Sequence, residues 1–111
     1  MLSSLERLKS FRPVAYFSME LAIDTAIPTY SGGLGILAGD TVRTAADLGI
    51  PFIAITQLSR EGYFRQVIGA NGDQHEEPVR WSPSDRLVSL PERASVSIEG
   101  RPVLVGAWIY E

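Results

Sequence analysis

Five residues, Ser31-Gly32-Gly33-Leu34-Gly35, stand between two apolar runs and directly ahead of a stretch with helical period. This arrangement restricts the fold more than any other feature of the chain. Pro13-Val14-Ala15-Tyr16-Phe17-Ser18-Met19 is continuous rather than alternating, which fits a strand buried on both faces, as in a parallel sheet. After the glycines, Leu34, Leu37, Ala38, Thr41, Ala45 and Leu48 fall on one helical face, with Asp40, Arg43, Thr44 and Asp47 on the other. Gly49 stands where a helix ends, and Pro51 prevents continuation. Pro51-Phe52-Ile53-Ala54-Ile55-Thr56 is a second buried-looking strand. Strand, glycine-rich connector, helix and strand make a βαβ unit over residues 13–57, whose crossover should be right-handed.

The flanks differ in character. Residues 2–10 place Leu2, Leu5 and Leu8 three apart and predict a leading amphipathic helix, ended by Arg12-Pro13, so that residues 1–12 form a leader. Residues 58–111 read as β-rich. Tyr63–Ile68 is strand-like, and Ala70-Asn71-Gly72-Asp73 is a hairpin signal. The polar stretch 74–93, with three prolines, reads as loop with isolated strand fragments. Ala94–Ile98, a Glu99-Gly100 turn and Pro102–Tyr110 read as a second hairpin. An apolar strand pattern running to the last residue leads us to expect a truncated domain.

Charge and composition exclude several classes. Ten Lys+Arg against thirteen Asp+Glu argue against nucleic acid or an anionic membrane as partner. The absence of cysteine removes disulfides, thiolate metal sites and cysteine nucleophiles. No apolar run reaches the length of a signal core or a membrane span, so a cytoplasmic protein is expected.

The chemistry-bearing candidate is the glycine cluster. The first turn of a helix leaves N–H groups without internal partners, and the aligned peptide dipoles add positive charge there. Glycines let an anion approach closely, which suits phosphate. Neither the P-loop nor the dinucleotide fingerprint is present: no Lys-Ser or Lys-Thr follows, and about a dozen residues separate strand from glycines. Two readings stand, an anion cradle and a tight connection that only lets the helix pack. His75 beside Glu76 and Glu77 lacks a second ligand motif and reads as solvated loop, so no metal is expected. Glu20, after the first strand, either borders a cleft at the carboxyl strand ends or is a surface or capping carboxylate. Tyr63, Phe64, Trp81 and Trp108 are candidates for sugar stacking or for packing.

Five ordered blocks together resemble the α-glucan phosphorylase family. They are Val14-Ala15-Tyr16-Phe17-Ser18-Met19-Glu20, the stretch Ile27-Pro28-Thr29-Tyr30-Ser31-Gly32-Gly33-Leu34-Gly35-Ile36-Leu37-Ala38-Gly39-Asp40, Ala45-Ala46-Asp47-Leu48-Gly49-Ile50-Pro51, Gly62-Tyr63-Phe64-Arg65-Gln66 and Gln74-His75-Glu76-Glu77-Pro78. Their order is similar to the amino-terminal region of the family's shorter bacterial and archaeal branch.

The resemblance implies an α/β fold, part of a Rossmann-like amino-terminal domain of a two-domain glycosyltransferase of GT-B type. It implies an enzyme dependent on pyridoxal phosphate that releases glucose 1-phosphate from α-1,4-glucan with inorganic phosphate. Gly32, Gly33, Leu34 and Gly35 match the family's glycine loop, whose amides face the substrate phosphate and whose Leu lines the glucose site. Glu20 matches a carboxylate bordering the cleft, and Ser31 stands where many members have Asn. The family's cofactor lysine lies in the other domain, and Lys9 is the only lysine here. No catalytic residue proper is assigned, and the chain alone is expected to be inactive. Its expected partners are phosphate, glucose 1-phosphate, glucan and the rest of a phosphorylase chain, with self-association through open strand edges as a further expectation. A glycogen or starch synthase fragment is the alternative, disfavoured because synthases carry Lys ahead of their glycines where this chain has Thr29-Tyr30-Ser31. A non-catalytic glucan-binding or self-associating module is a third.

Overall fold

The computed structural model describes residues 12–110, and the leading helix expected at 2–10 lies outside them. The chain is mixed α/β, with one α-helix and three two-stranded sheets among the described residues, in two compact units that divide after Arg80.

In the first unit, β1 (Val14–Phe17) and β2 (Phe52–Ile55) pair in parallel, Val14 with Phe52 through Phe17 with Ile55. Between them runs α1 (Gly33–Asp47). The expected parallel βαβ order is therefore present. The rings of Tyr16 and Phe52 meet across the strands at 5.6 Å. α1 stops where the sequence says it should. Leu48 caps it, Gly49 follows at φ 66°, and the N–H groups of Gly49 and Ile50 donate to the carbonyls of Ala46 and Ala45. That is the paired bonding of a Schellman motif, which needs the left-handed backbone that glycine adopts without strain.

The core differs from the expectation. Leu34, Leu37 and Leu48 are exposed, and α1 instead buries Gly35, Ala38, Gly39 and Ala45. The helix lies against backbone rather than against large side chains. The connector from Glu20 to Tyr30 folds onto the first two turns, with Leu21, Ala22, Ile27 and Thr29 buried beneath it. Thr29 Oγ1 donates to the Leu21 carbonyl (2.6 Å), the Leu21 N–H to the Thr29 carbonyl (3.0 Å), and the Ala22 N–H to the Gly35 carbonyl (2.9 Å). Such close approach leaves room only for small residues on that helical face. The strands are likewise more exposed than a doubly covered parallel sheet, because only two of them pair among the described residues.

The polar stretch after Asp73 holds more strand than the sequence suggested. β3 (Phe64–Ile68) pairs antiparallel with β4 (Gln74–Pro78) around the Gly69–Asp73 turn, and Arg65 bonds to its cross-strand partner Glu77. In the second unit a 3₁₀ turn, Pro83–Asp85, leads into β5 (Val88–Ile98), which pairs antiparallel with β6 (Arg101–Ile109). β5 starts earlier than expected. It accommodates Pro91 at an irregularity, where residues 90–92 stand opposite Ala107 alone. Glu99 and Gly100, both at positive φ, close this hairpin with the twist that two-residue turns require. Its pairing puts Ala94, Val96, Ile98, Val103 and Val105 on one face, and that face is exposed.

A methyl group at Gly39 would sit 2.0 Å from the Ala22 carbonyl oxygen, whereas one at Gly33 would meet nothing within 4 Å. We therefore expect Gly39→Ala to lower the urea midpoint by the equivalent of about 3 kcal/mol. Gly33→Ala should stay within about 1 kcal/mol of the parent, favouring the helix if it moves stability at all. Equal midpoints for the two variants would contradict this packing.

Candidate functional site: the glycine loop and Glu20

The site is assembled by the connector that follows β1. Ser18 Oγ donates to the Glu20 carbonyl (2.7 Å), fixing the turn that lifts the chain off the strand. The Glu20 side chain then reaches across eleven residues to the glycine loop. Ser31 donates to it twice, from Oγ to Oε1 at 2.9 Å and from N–H to Oε2 at 3.2 Å. The Gly32 N–H adds a longer bond to Oε2 at 3.4 Å. Farther along α1, Arg43 Nη2 donates to the Ile23 carbonyl at 2.7 Å and Arg43 Nη1 lies 3.6 Å from Asp40 Oδ1. These contacts fasten the connector to the helix on either side of Ala22.

Gly32 caps α1 with extended backbone and offers no side-chain cap, and the first turn carries no acidic residue. Glu20 supplies from outside the helix the negative charge that its N-terminus favours. The two Ser31 donors, followed by the N–H groups of Gly32 and Gly35, hold the Glu20 carboxyl below the ordinary glutamate value against an opposing effect of burial. Gly35 is needed for packing: an added methyl group would lie 2.3 Å from Tyr30 Cβ and 3.3 Å from Glu20 Cβ. Gly32 and Gly33 have open space around them. The N–H groups of Gly33 and Leu34 make no hydrogen bond within the described residues and precede the first carbonyl of the helix.

Tyr63 belongs to the same neighbourhood. Burial raises its phenol above the ordinary tyrosine value, and the Glu20 charge adds to the shift. The sequence offered Tyr63 as a candidate for sugar stacking or for packing, and no local pattern could have linked it to Glu20. At the carboxyl ends of β1 and β2 lies an open depression of about 450 Å³, lined by Phe17, Ser18, Met19, Ile55, Thr56 and Gln57. The Thr56 hydroxyl is buried there without a partner. Carboxyl strand ends are where open α/β sheets hold ligands.

Three other sequence candidates lie on strands. His75 is exposed on β4, 3.9 Å from Glu77, and no group of three potential metal ligands exists among the described residues. Phe64 is exposed on β3, and Trp108 lies half-buried on β6. No described helix is long and apolar enough to cross a membrane.

With this geometry in view, comparison with known proteins places the chain among the α-glucan phosphorylases. It is 48% identical over 92 residues to a glycogen phosphorylase of Mycobacterium tuberculosis (strain ATCC 25618 / H37Rv), covering 83% of the chain and 10% of that protein. It is 45% identical over 93 residues to a maltodextrin phosphorylase of Thermococcus litoralis, covering 84% of the chain and 11% of the relative. A glycogen phosphorylase of Aquifex aeolicus is 35% identical over 65 residues, 59% of the chain and 9% of the relative. No family model and no solved structure matches. More particularly, the chain is the counterpart of an amino-terminal stretch of the glycogen and maltodextrin phosphorylases, and it spans about a tenth of the length of the relatives named first.

A tyrosine whose folded-state pKa is raised contributes stability that is whole below its ordinary pKa and is lost as pH rises through the folded value. We therefore expect Tyr63 to ionise later than a free tyrosine in an alkaline absorbance titration. Glu20→Gln should bring it down only in part, because burial is the larger cause. Ionisation at the ordinary value in the folded parent would contradict the placement.

Proposed function

We propose that this chain is the amino-terminal part of an α-glucan phosphorylase of GT-B type, and that its contribution is the glycine loop at the phosphate and glucose site. The observation that carries the proposal is the pair of unpartnered amides at Gly33 and Leu34, at the positive end of α1 and within a chain homologous to phosphorylases. Phosphorolysis requires inorganic phosphate to be held beside the anomeric carbon of a terminal α-1,4-linked glucose. Amides at a helix start offer fixed donors to such an anion without a counter-charge to desolvate. The Leu34 side chain, exposed at the same turn, presents an apolar surface to the sugar.

Pyridoxal phosphate is the cofactor such an enzyme uses, and its own phosphate supplies the proton chemistry when bound. Residues 12–110 contain no lysine to hold its aldehyde, so its attachment is assigned to the rest of a phosphorylase chain. That remainder is also the proposed partner for the exposed apolar residues of β1, α1 and the β5–β6 hairpin. We place the working enzyme in the cytoplasm, acting on glucan and releasing glucose 1-phosphate.

One helix N-terminus supplies about 1–2 kcal/mol toward an anion, against about 4 kcal/mol for a millimolar site. The purified chain should therefore show inorganic phosphate shifts centred on the Gly33 and Leu34 amides that do not saturate at about 1 mM. It should form no glucose 1-phosphate from glucan, with or without pyridoxal phosphate. Product formed in proportion to this chain, or phosphate shifts that avoid the loop, would overturn the proposal.

A further inference from the structure

The two faces of the β3–β4 hairpin are built differently. The pairing of Arg65 with Glu77 and of Val67 with His75 puts those four residues on one face, where Glu77 bonds to Arg65 and lies 3.9 Å from His75. The other face carries Phe64 opposite Pro78, then Gln66 opposite Glu76. Beyond the last pair the Val79 N–H donates to the Tyr63 carbonyl (3.1 Å). Gly62, at φ 114°, turns the chain there, and Glu61 joins the same lining.

On this second face lies an open cavity of about 400 Å³, whose lining includes Glu61, Tyr63, Phe64, Glu76, Pro78 and Arg80. Phe64 is 59% exposed and stands directly across from Pro78, so the two make an apolar floor open to solvent. Tyr63 is half-buried beside them, and burial raises its phenol above the ordinary value. The charged groups around that floor are unengaged. The side chains of Glu61, Glu76 and Arg80 make no hydrogen bond or ion pair among the described residues, whereas the neighbouring Arg65 and Glu77 are joined to each other.

These groups define the class of ligand. Two carboxylates against one guanidinium leave the lining negative, which opposes an anion such as phosphate. A divalent cation lacks ligands, since no group of three potential metal ligands exists among the described residues. A carboxylate only accepts hydrogen bonds and a guanidinium only donates them, so a neutral molecule rich in hydroxyls satisfies both. Hydrogen bonds to charged partners are about twice as strong as neutral ones. A flat apolar face on the same molecule would cover the Phe64 ring and Pro78. A pyranose has this build, with C–H groups on its faces and hydroxyls around its edge.

We propose that the Phe64–Pro78 face of the β3–β4 hairpin is a second carbohydrate-binding site, which holds pyranose units of an α-glucan and uses no residue of the glycine loop. The α-1,4 linkage of that glucan rests on the function proposed above. Pyranose binding itself rests on the cavity alone.

The test is a chemical-shift titration of the 111-residue chain with maltotetraose, with cellotetraose and with inorganic phosphate. Maltotetraose should shift the amides of Gly62, Tyr63, Phe64, Glu76 and Val79 together with the ring protons of Phe64. Phe64→Ala should weaken that binding by about fivefold or more. Arg80→Gln should weaken it as well, and it carries the test if the spectrum of Phe64→Ala loses its dispersion. His75→Ala, on the opposite face, should leave the affinity unchanged. Phosphate should leave the cavity amides in place, and cellotetraose should shift them less than maltotetraose does. Maltotetraose shifts that avoid the cavity, or an affinity that neither Phe64→Ala nor Arg80→Gln lowers, would sink the site. Equal binding of cellotetraose would uphold a pyranose site and contradict its assignment to α-glucan. Cavity shifts with maltotetraose, while phosphate moves nothing at Gly33 and Leu34, would support this site and count against the phosphate loop alone.

Discussion

Everything in the first unit depends on how closely the connector after β1 approaches the first two turns of α1. The Ala22 N–H bonds to the Gly35 carbonyl, and the Ala22 carbonyl occupies the space a side chain at position 39 would need. With backbone against backbone, the helix start is fixed relative to β1 within the length of a hydrogen bond. Side-chain packing alone would leave more play, because large residues change rotamer at modest cost. The two glycines four residues apart are therefore spacing elements of the fold, while Gly32 and Gly33 face open space and are spared for another purpose.

That division clarifies the glycine cluster. A cradle and a packing device were both compatible with Ser31-Gly32-Gly33-Leu34-Gly35, and the structure divides the segment between packing and hydrogen bonds to the chain's own carboxylate. Gly35 serves packing. Gly33 and Leu34 present amides. Gly32 and Ser31 bind the chain's own carboxylate, so that the helix N-terminus is neutralised in part before any ligand arrives.

The βαβ order was legible because it is written in local signals. Continuous apolar runs marked both parallel strands, and Gly49 with Pro51 marked the helix end. The buried face of α1 was not legible, since periodicity favours its leucines while burial favours Gly35, Ala38, Gly39 and Ala45. A pattern of hydrophobicity cannot show that a backbone segment, rather than a sheet face, covers a helix. β4 was only partly legible, through the hairpin signal before it, for a related reason: Gln74-His75-Glu76-Glu77-Pro78 has no strand propensity of its own and owes its conformation to that turn and to Arg65 opposite Glu77. The contact between Glu20 and Ser31 spans eleven residues through an irregular connector. Only the folded path of that connector could bring them together.

The proposed role of this stretch is that of the glycine loop of an α-glucan phosphorylase. It is tested most directly by exchanging the matched 93 residues of the Thermococcus litoralis maltodextrin phosphorylase for their counterpart from this chain and measuring glucose 1-phosphate formed from maltodextrin. A folded chimera with phosphate-dependent product formation is expected, its activity lost when Gly35 is replaced by Ala. A folded chimera that still binds maltodextrin but forms no product would contradict it.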